Sequence, residues 1–293
     1  MFYRRKIILS LLQASGGVLE KIPLQKLLFL FSQKQTKPEY EFIPYKFGCY
    51  SYSANADITA MVSKGILCEG TTGYALPDKT DYIKTLKDAD RKILNQVQVL
   101  YGKMDGNKLM LHTYRNFPYY AINSVAAANM LSDEEMANVE HARPAGTQTI
   151  LFTIGYEGVS LEKYLNKLLV NDIKVLVDVR RNPLSMKFGF SKNQLLKYCS
   201  SLGIEYMHFP ELGIHSDQRQ ELATQADYDK LFIDYKRQLP STHSSQSKLL
   251  ELLVKHHRIA LTCFEANICQ CHRKHLAEAI EILPDFNYTI KHI

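Results

Sequence analysis

Between residues 149 and 293, short apolar runs rich in β-branched residues alternate with amphipathic stretches of helical period. This alternation limits the fold more than any other feature of the chain. Residues 149–154, 173–179, 204–208, 258–264 and 288–293 read as strands. Residues 161–171, 193–202, 228–238, 248–256 and 272–283 read as helices. Strands that are apolar at consecutive positions suit a sheet covered on both faces. Strand and helix in turn predict an α/β fold, a mostly parallel sheet flanked by helices.

The first half has a different pattern. Helices are expected over 4–15, 24–32 and 53–63, followed by short strands at 66–70 and 74–76 around a turn containing Gly73. Three helices and a two-stranded hairpin are the order of a winged helix, so a mainly helical, winged-helix-like domain is expected. Residues 80–141 read as helical with a break near Asn116-Phe117-Pro118. Arg143-Pro144-Ala145-Gly146 reads as a linker, giving domains at 1–146 and 147–293. A length of 293 residues accommodates both.

Composition narrows the setting. Hydrophobic residues at 46% and charged residues at 23% exclude a disordered or low-complexity chain. No apolar run reaches the roughly 18 residues of a membrane span. The run Ile7 to Leu12 behind Arg4-Arg5-Lys6 lacks the length and cleavage site of a signal peptide. A cytoplasmic protein without membrane contact is expected. The net charge of +6 is mild, but residues 1–64 hold nine basic and four acidic side chains. A basic N-terminal segment fits nucleic acid, and equally a solvated face. Lys26, Tyr45, Lys46 and Tyr50 mix cations with rings and are the expected contacts, although tyrosines that pack helices look the same.

In open parallel sheets the ligand crevice lies beyond the carboxyl ends of the strands. Gly155, Tyr156, Glu157 and Gly158 follow the first strand. Asp178, Arg180, Arg181 and Asn182 end the second; His208, Glu211 and Gly213 follow the third. Cys263, Glu265, Cys271, His272 and Arg273 follow the strand at 258–264. Asp178 and Glu265 are the expected catalytic carboxylates, dividing acid and base roles. The alternatives for Asp178 are an ion pair with Arg180 and a loop cap, and for Glu265 a surface acid. Arg180, Arg181 and Asn182, with His272 and Arg273 at a helix start, would hold phosphate; of the two adjacent arginines Arg180 is expected to point into the site, and the alternative is surface charge. Tyr156 would stack on a base or sugar, or else pack on the core. Cys271 at the same helix start is a possible nucleophile. Cys263, Cys269, Cys271 and His272 do not follow the paired spacing of a zinc knuckle, so neither metal nor cofactor is expected. Motifs for NTP hydrolysis, dinucleotide redox and serine hydrolysis are absent from the sequence.

Four ordered stretches of the second half resemble the domain of unknown function 488 family. They are Thr153-Ile154-Gly155-Tyr156-Glu157-Gly158; Val177-Asp178-Val179-Arg180 with Asn182-Pro183 and Ser185; Gly203-Ile204-Glu205-Tyr206 leading to Pro210-Glu211-Leu212-Gly213; and Cys263-Phe264-Glu265 with Cys271-His272-Arg273. The resemblance implies an α/β fold and marks Asp178, Arg180, Glu265, His272 and Arg273 as site positions. It associates the domain with nucleic acid, in repair or defence against phage, and supplies no reaction. The first half resembles the winged-helix, antitoxin-associated domain called Panacea, through Gln25-Lys26-Leu27-Leu28-Phe29 and Pro44-Tyr45-Lys46-Phe47-Gly48-Cys49-Tyr50-Ser51. That family usually has Pro where this chain has Cys49.

Together these features point to an enzyme acting on double-stranded DNA. The preferred reaction is metal-independent removal of a base, modified or plain, by N-glycosidic cleavage. A nuclease is its nearest competitor. A DNA-binding regulator whose α/β domain senses a ligand is the alternative from another class.

Overall fold

The structure is a computed structural model that describes every residue except 216, 217, 219–221 and 223. It divides into two compact units, Met1–Arg143 and Pro144–Ile293. No helix among the described residues is long and apolar enough to cross a membrane.

The first unit opens with α1 (Tyr3–Ala14), β1 (Val18–Glu20) and α2 (Lys21–Ser32). Apolar side chains run unbroken from Leu27 to Phe31, and α2 is buried on all sides from Pro23 to Ser32. The hairpin of β2 (Ile43–Tyr45) and β3 (Gly48–Tyr50) follows, then α3 (Tyr52–Ser63), capped by the Ser51 side chain. Next come β4 (Cys68–Glu69) and β5 (Gly73–Ala75). β5 pairs antiparallel with both β4 and β1, so the short strand after α1 completes a three-stranded sheet. The expected helices are present. β1 and the β2–β3 hairpin are additions, too short to show as sequence patterns. Helices α4 (Asp88–Tyr101), α5 (Gly106–Asn116) and α6 (Asp133–His141) complete the unit. α6 begins on a capping box between Ser132 and Glu135.

The second unit contains β6 (Ile150–Gly155), α7 (Leu161–Val170), β7 (Val175–Asp178), α8 (Lys192–Ser201) and β8 (Glu205–His208). It continues with α9 (Gln225–Gln238), α10 (His243–His256), β9 (Arg258–Cys263), α11 (His272–Glu281) and β10 (Thr289–His292). The five strands form one parallel sheet in the order β10-β6-β9-β7-β8. The expected α/β class is therefore found. Every residue of β6, β7 and β9 is buried, as their continuous apolar runs require. On one face Leu151, Val177 and Leu261 pack against Phe232 of α9, Leu253 of α10 and Leu276 of α11. On the other, Tyr164 of α7 donates to the Thr262 hydroxyl at 2.7 Å. β9 enters last but one and lies between β6 and β7. Its register sets Cys263 beside Gly155, and Thr262 beside Asp178, which in turn faces His208 on β8.

Candidate active site

The carboxyl ends of β6, β7 and β9 border a cavity of about 330 Å³. It is lined by Tyr156, Arg180, Arg181, Asn182, Ser185 and Cys263, with Leu184, Met186 and Phe264 at its edge. Two close backbone approaches shape it. A Cβ on Gly155 would lie 2.0 Å from the Glu265 carbonyl oxygen, and one on Gly213 would lie 2.1 Å from the Arg181 nitrogen. Only glycine admits those neighbours.

Asp178 and Arg180 form the first of two buried networks. Asp178 is fully buried and Arg180 is 6% exposed. Arg180 donates from Nε to Oδ1 at 2.8 Å and from Nη2 to Oδ2 at 2.5 Å, a bidentate pair. The Arg180 backbone N–H also donates to Oδ1, and the Tyr206 hydroxyl donates to Oδ2 at 2.6 Å. The remaining Nη1 donates to the Tyr156 hydroxyl at 2.7 Å and to the Phe190 carbonyl at 2.9 Å. Burial disfavours the Arg180 charge, but Asp178 outweighs it and holds the guanidinium above its usual range. Burial and the neighbouring Asp178 push the Tyr206 hydroxyl up.

This network selects the ion-pair reading of Asp178 and the core-packing reading of Tyr156, and it turns Arg180 away from the phosphate role. Arg180 lines the cavity, but its fork is turned onto Asp178 and not left for phosphate. Asp178 is a charge partner within the protein. Tyr156 is 2% exposed, stacks on Phe190 with centroids 4.3 Å apart, and is buried under Phe264 edge-on. It has no open face for a base. Phe264, which is exposed, offers one instead. The exposed polar lining is carried by Arg181 and Asn182.

The second network is built where β9 turns into α11. Cys263, Glu265, Cys271 and His272 bring their donor atoms within 4.8 Å of one another. Cys263 Sγ lies 3.1 Å from Glu265 Oε2 and 3.6 Å from His272 Nδ1. His272 Nε2 lies 3.0 Å from the Val179 carbonyl, which ties this cluster to the end of β7. Arg273 is buried and donates to the carbonyls of Glu265 and Ala266. Expected to hold phosphate, His272 and Arg273 instead brace the turn. Burial pushes the Cys271 thiol well up, with Cys263 and Glu265 adding to the shift. That is opposite to the activation a helix N-terminus gives a nucleophilic cysteine.

In the first unit, Lys26, Tyr45, Lys46 and Tyr50 all line one cavity of about 500 Å³. They differ in kind. Lys26 is buried and donates to the carbonyls of Phe47 at 2.5 Å and Cys49 at 3.0 Å, so it holds the β2–β3 hairpin. Tyr45 and Tyr50 pack on each other and on Tyr52. Lys46 is exposed at the hairpin turn. Part of the basic excess is also neutralised internally: Arg4 and Arg5 pair with buried Asp57, and Lys21 with Glu69.

Leu184, Met186 and Phe264 at the rim are not among the site residues expected from the sequence. Their exposure, and the approach of Phe264 to Arg181, exist only in the folded chain, so the sequence carries no signal for them. From the sequence, Cys263, Cys271 and His272 group together with Cys269, whereas the folded cluster has Glu265 in place of Cys269.

No curated protein matches the chain. Residues 160–280 of the second unit match the family described as Domain of unknown function DUF488, which identifies that part of the chain as similar to this family.

Proposed function

We propose that the protein is an enzyme acting on double-stranded DNA, and that its C-terminal domain releases a base by hydrolysing the N-glycosidic bond, in repair or defence against phage. The observation that supports this reading best is the composition of the crevice. Exposed Arg181 and Asn182 suit a phosphate or sugar, while Phe264, Met186 and Leu184 form an apolar rim beside them. Such a rim suits a base taken out of its stack, with Phe264 as the stacking face. In the reaction water adds to the sugar C1′ as the C1′–N bond breaks, and the base leaves with a proton. Glu265, half-buried and bonded to Cys263 at the crevice wall, is the carboxylate we assign to take the proton from water. Asp178 acts through Arg180 as a positioning residue.

For the first unit we favour a winged-helix reading, supported by its element order and by the β1-β5-β4 sheet. Of the four expected contacts, Lys46 is the cation left exposed and is assigned to phosphate.

The test incubates the full chain with phage DNAs of plain and modified base composition, with and without chelator. Released bases are followed by mass spectrometry and strand breaks by gel. A free base, lost with Glu265→Gln, is the expected result. Direct strand breaks would replace the reading by a nuclease. Tight binding without product would replace it by a regulator. Lys46→Ala should weaken DNA binding evenly across sequences and reduce the salt slope by about 1.

A further inference from the structure

We propose that Cys263, Cys271 and His272 bind a zinc-class divalent ion at the base of the crevice, with Glu265 as a fourth, exchangeable ligand. The inference does not depend on base release, because it is read by metal content and spectrum.

The donor types select the ion. Two thiols, an imidazole and a carboxylate match zinc and not calcium or magnesium, which take oxygen donors. The spacing fits as well. Metal–sulfur distances of about 2.3 Å and metal–nitrogen distances of about 2.0–2.1 Å place the two donors about 3.6 Å apart across a tetrahedral ion. Cys263 Sγ and His272 Nδ1 are 3.6 Å apart. All four donors fall within 4.8 Å of one another.

The surroundings of the histidine carry the argument further. The Val179 carbonyl can only accept, so His272 Nε2 at 3.0 Å must donate to it. That bond puts the proton on Nε2 and turns the Nδ1 lone pair toward Cys263. A ligating histidine is commonly oriented this way, by a carbonyl bound at its other nitrogen. The backbone support is similarly specific. Arg273 grips the carbonyls of Glu265 and Ala266, and the Ala266 N–H donates to Glu157 at 3.0 Å. The turn joining the ligands is thereby held from both β6 and α11 sides. The buried Arg273 charge also lies near an anionic donor set.

Exposure separates the four ligands. Cys263, Cys271 and His272 are almost wholly buried, whereas Glu265 is only half-buried. Cys263 borders the crevice. If Glu265 swings aside, water can take its place on the ion with the carboxylate still adjacent. Three fixed protein ligands and one replaceable position are the arrangement of a catalytic zinc centre rather than a closed structural one.

The test equilibrates the full chain with Zn(II), dialyses it and measures bound metal by mass spectrometry. A parallel sample carries Co(II) for absorption spectroscopy. The expected result is one ion per chain, with thiolate-to-cobalt charge transfer and the intense visible bands of a tetrahedral site. Cys271→Ser and His272→Gln should each weaken binding by more than about tenfold. Glu265→Gln should keep the ion and shift the cobalt bands. Cys269→Ser, whose exposed side chain lies outside the donor set, should change neither. Failure of a ligand variant to fold leaves the wild-type cobalt spectrum to decide. Substoichiometric metal in the wild type, an octahedral spectrum without thiolate bands, or a Cys263–Cys271 disulfide that excludes metal would each overturn the proposal.

Discussion

Asp178→Asn tests whether the buried pair at the end of β7 is a structural unit. The substitution keeps the side chain's shape and removes its charge. Asp178 accepts four hydrogen bonds, three from Arg180 and one from Tyr206. An asparagine presents an NH₂ where one carboxylate oxygen stood, so at least one limb of the Arg180 fork faces a donor. The guanidinium is left charged and 6% exposed. Breaking a buried pair from one side costs about 3–5 kcal/mol, because the surviving charge lacks compensation. Spread over a domain of this size, that loss lowers the melting temperature by about 6–20 °C. Arg180→Met in the same background removes the stranded charge. The double variant should then regain about 2 kcal/mol relative to additivity, although Tyr156 and the Phe190 carbonyl also lose a donor. Melting of the full-length single and double variants, analysed as a double-mutant cycle, provides the assay. A single variant that melts within about 1 kcal/mol of wild type would show a pair no stronger than an exposed one. Strictly additive losses would show that the two residues do not act together. Either result would refute the reasoning.

Two further outcomes follow from other parts of the molecule. Burial pushes the Asp57 carboxyl up, but the hydrogen bonds from Arg4, Arg5 and Tyr40 outweigh it and hold it below its ordinary value. The stability it contributes is full above the unfolded value of about 3.9 and is lost as pH falls through the lower folded value. Melting followed from neutral to acid pH should therefore fall less steeply for Asp57→Asn than for wild type, and parallel curves would remove Asp57 as a cause. Gly155→Ala would force a Cβ onto the Glu265 carbonyl at 2.0 Å, so the β9–α11 turn must move. A loss of about 1–3 kcal/mol is expected in thermal melting, and an unchanged midpoint would show that the turn yields freely.

Elements that depend on local pattern were legible in the amino-acid sequence. The runs at β6, β7 and β9 are apolar at most consecutive positions, and every residue in them is buried, because both faces of those strands are covered. The helices between them follow from their periodicity, and the parallel sheet follows from the alternation. That the segments after β6, β7 and β9 meet was also legible, since residues at the carboxyl ends of parallel strands lie at one edge of the sheet.

Their roles depended on tertiary structure. Asp178 and Arg180 are two residues apart, but only the burial around Tyr206, Tyr156 and Phe190 turns the arginine inward onto the acid. Lys26 reads as a surface cation until α2 proves buried on every side and its ammonium caps the β2–β3 hairpin. The Cys263, Glu265, Cys271 and His272 group has no recognisable spacing, because its ligands meet only when the chain folds back from β9 into α11. Local pattern reflects which face of an element avoids water. The direction and partner of each polar side chain are set by contacts between segments far apart in the chain, and those contacts exist only in the folded protein.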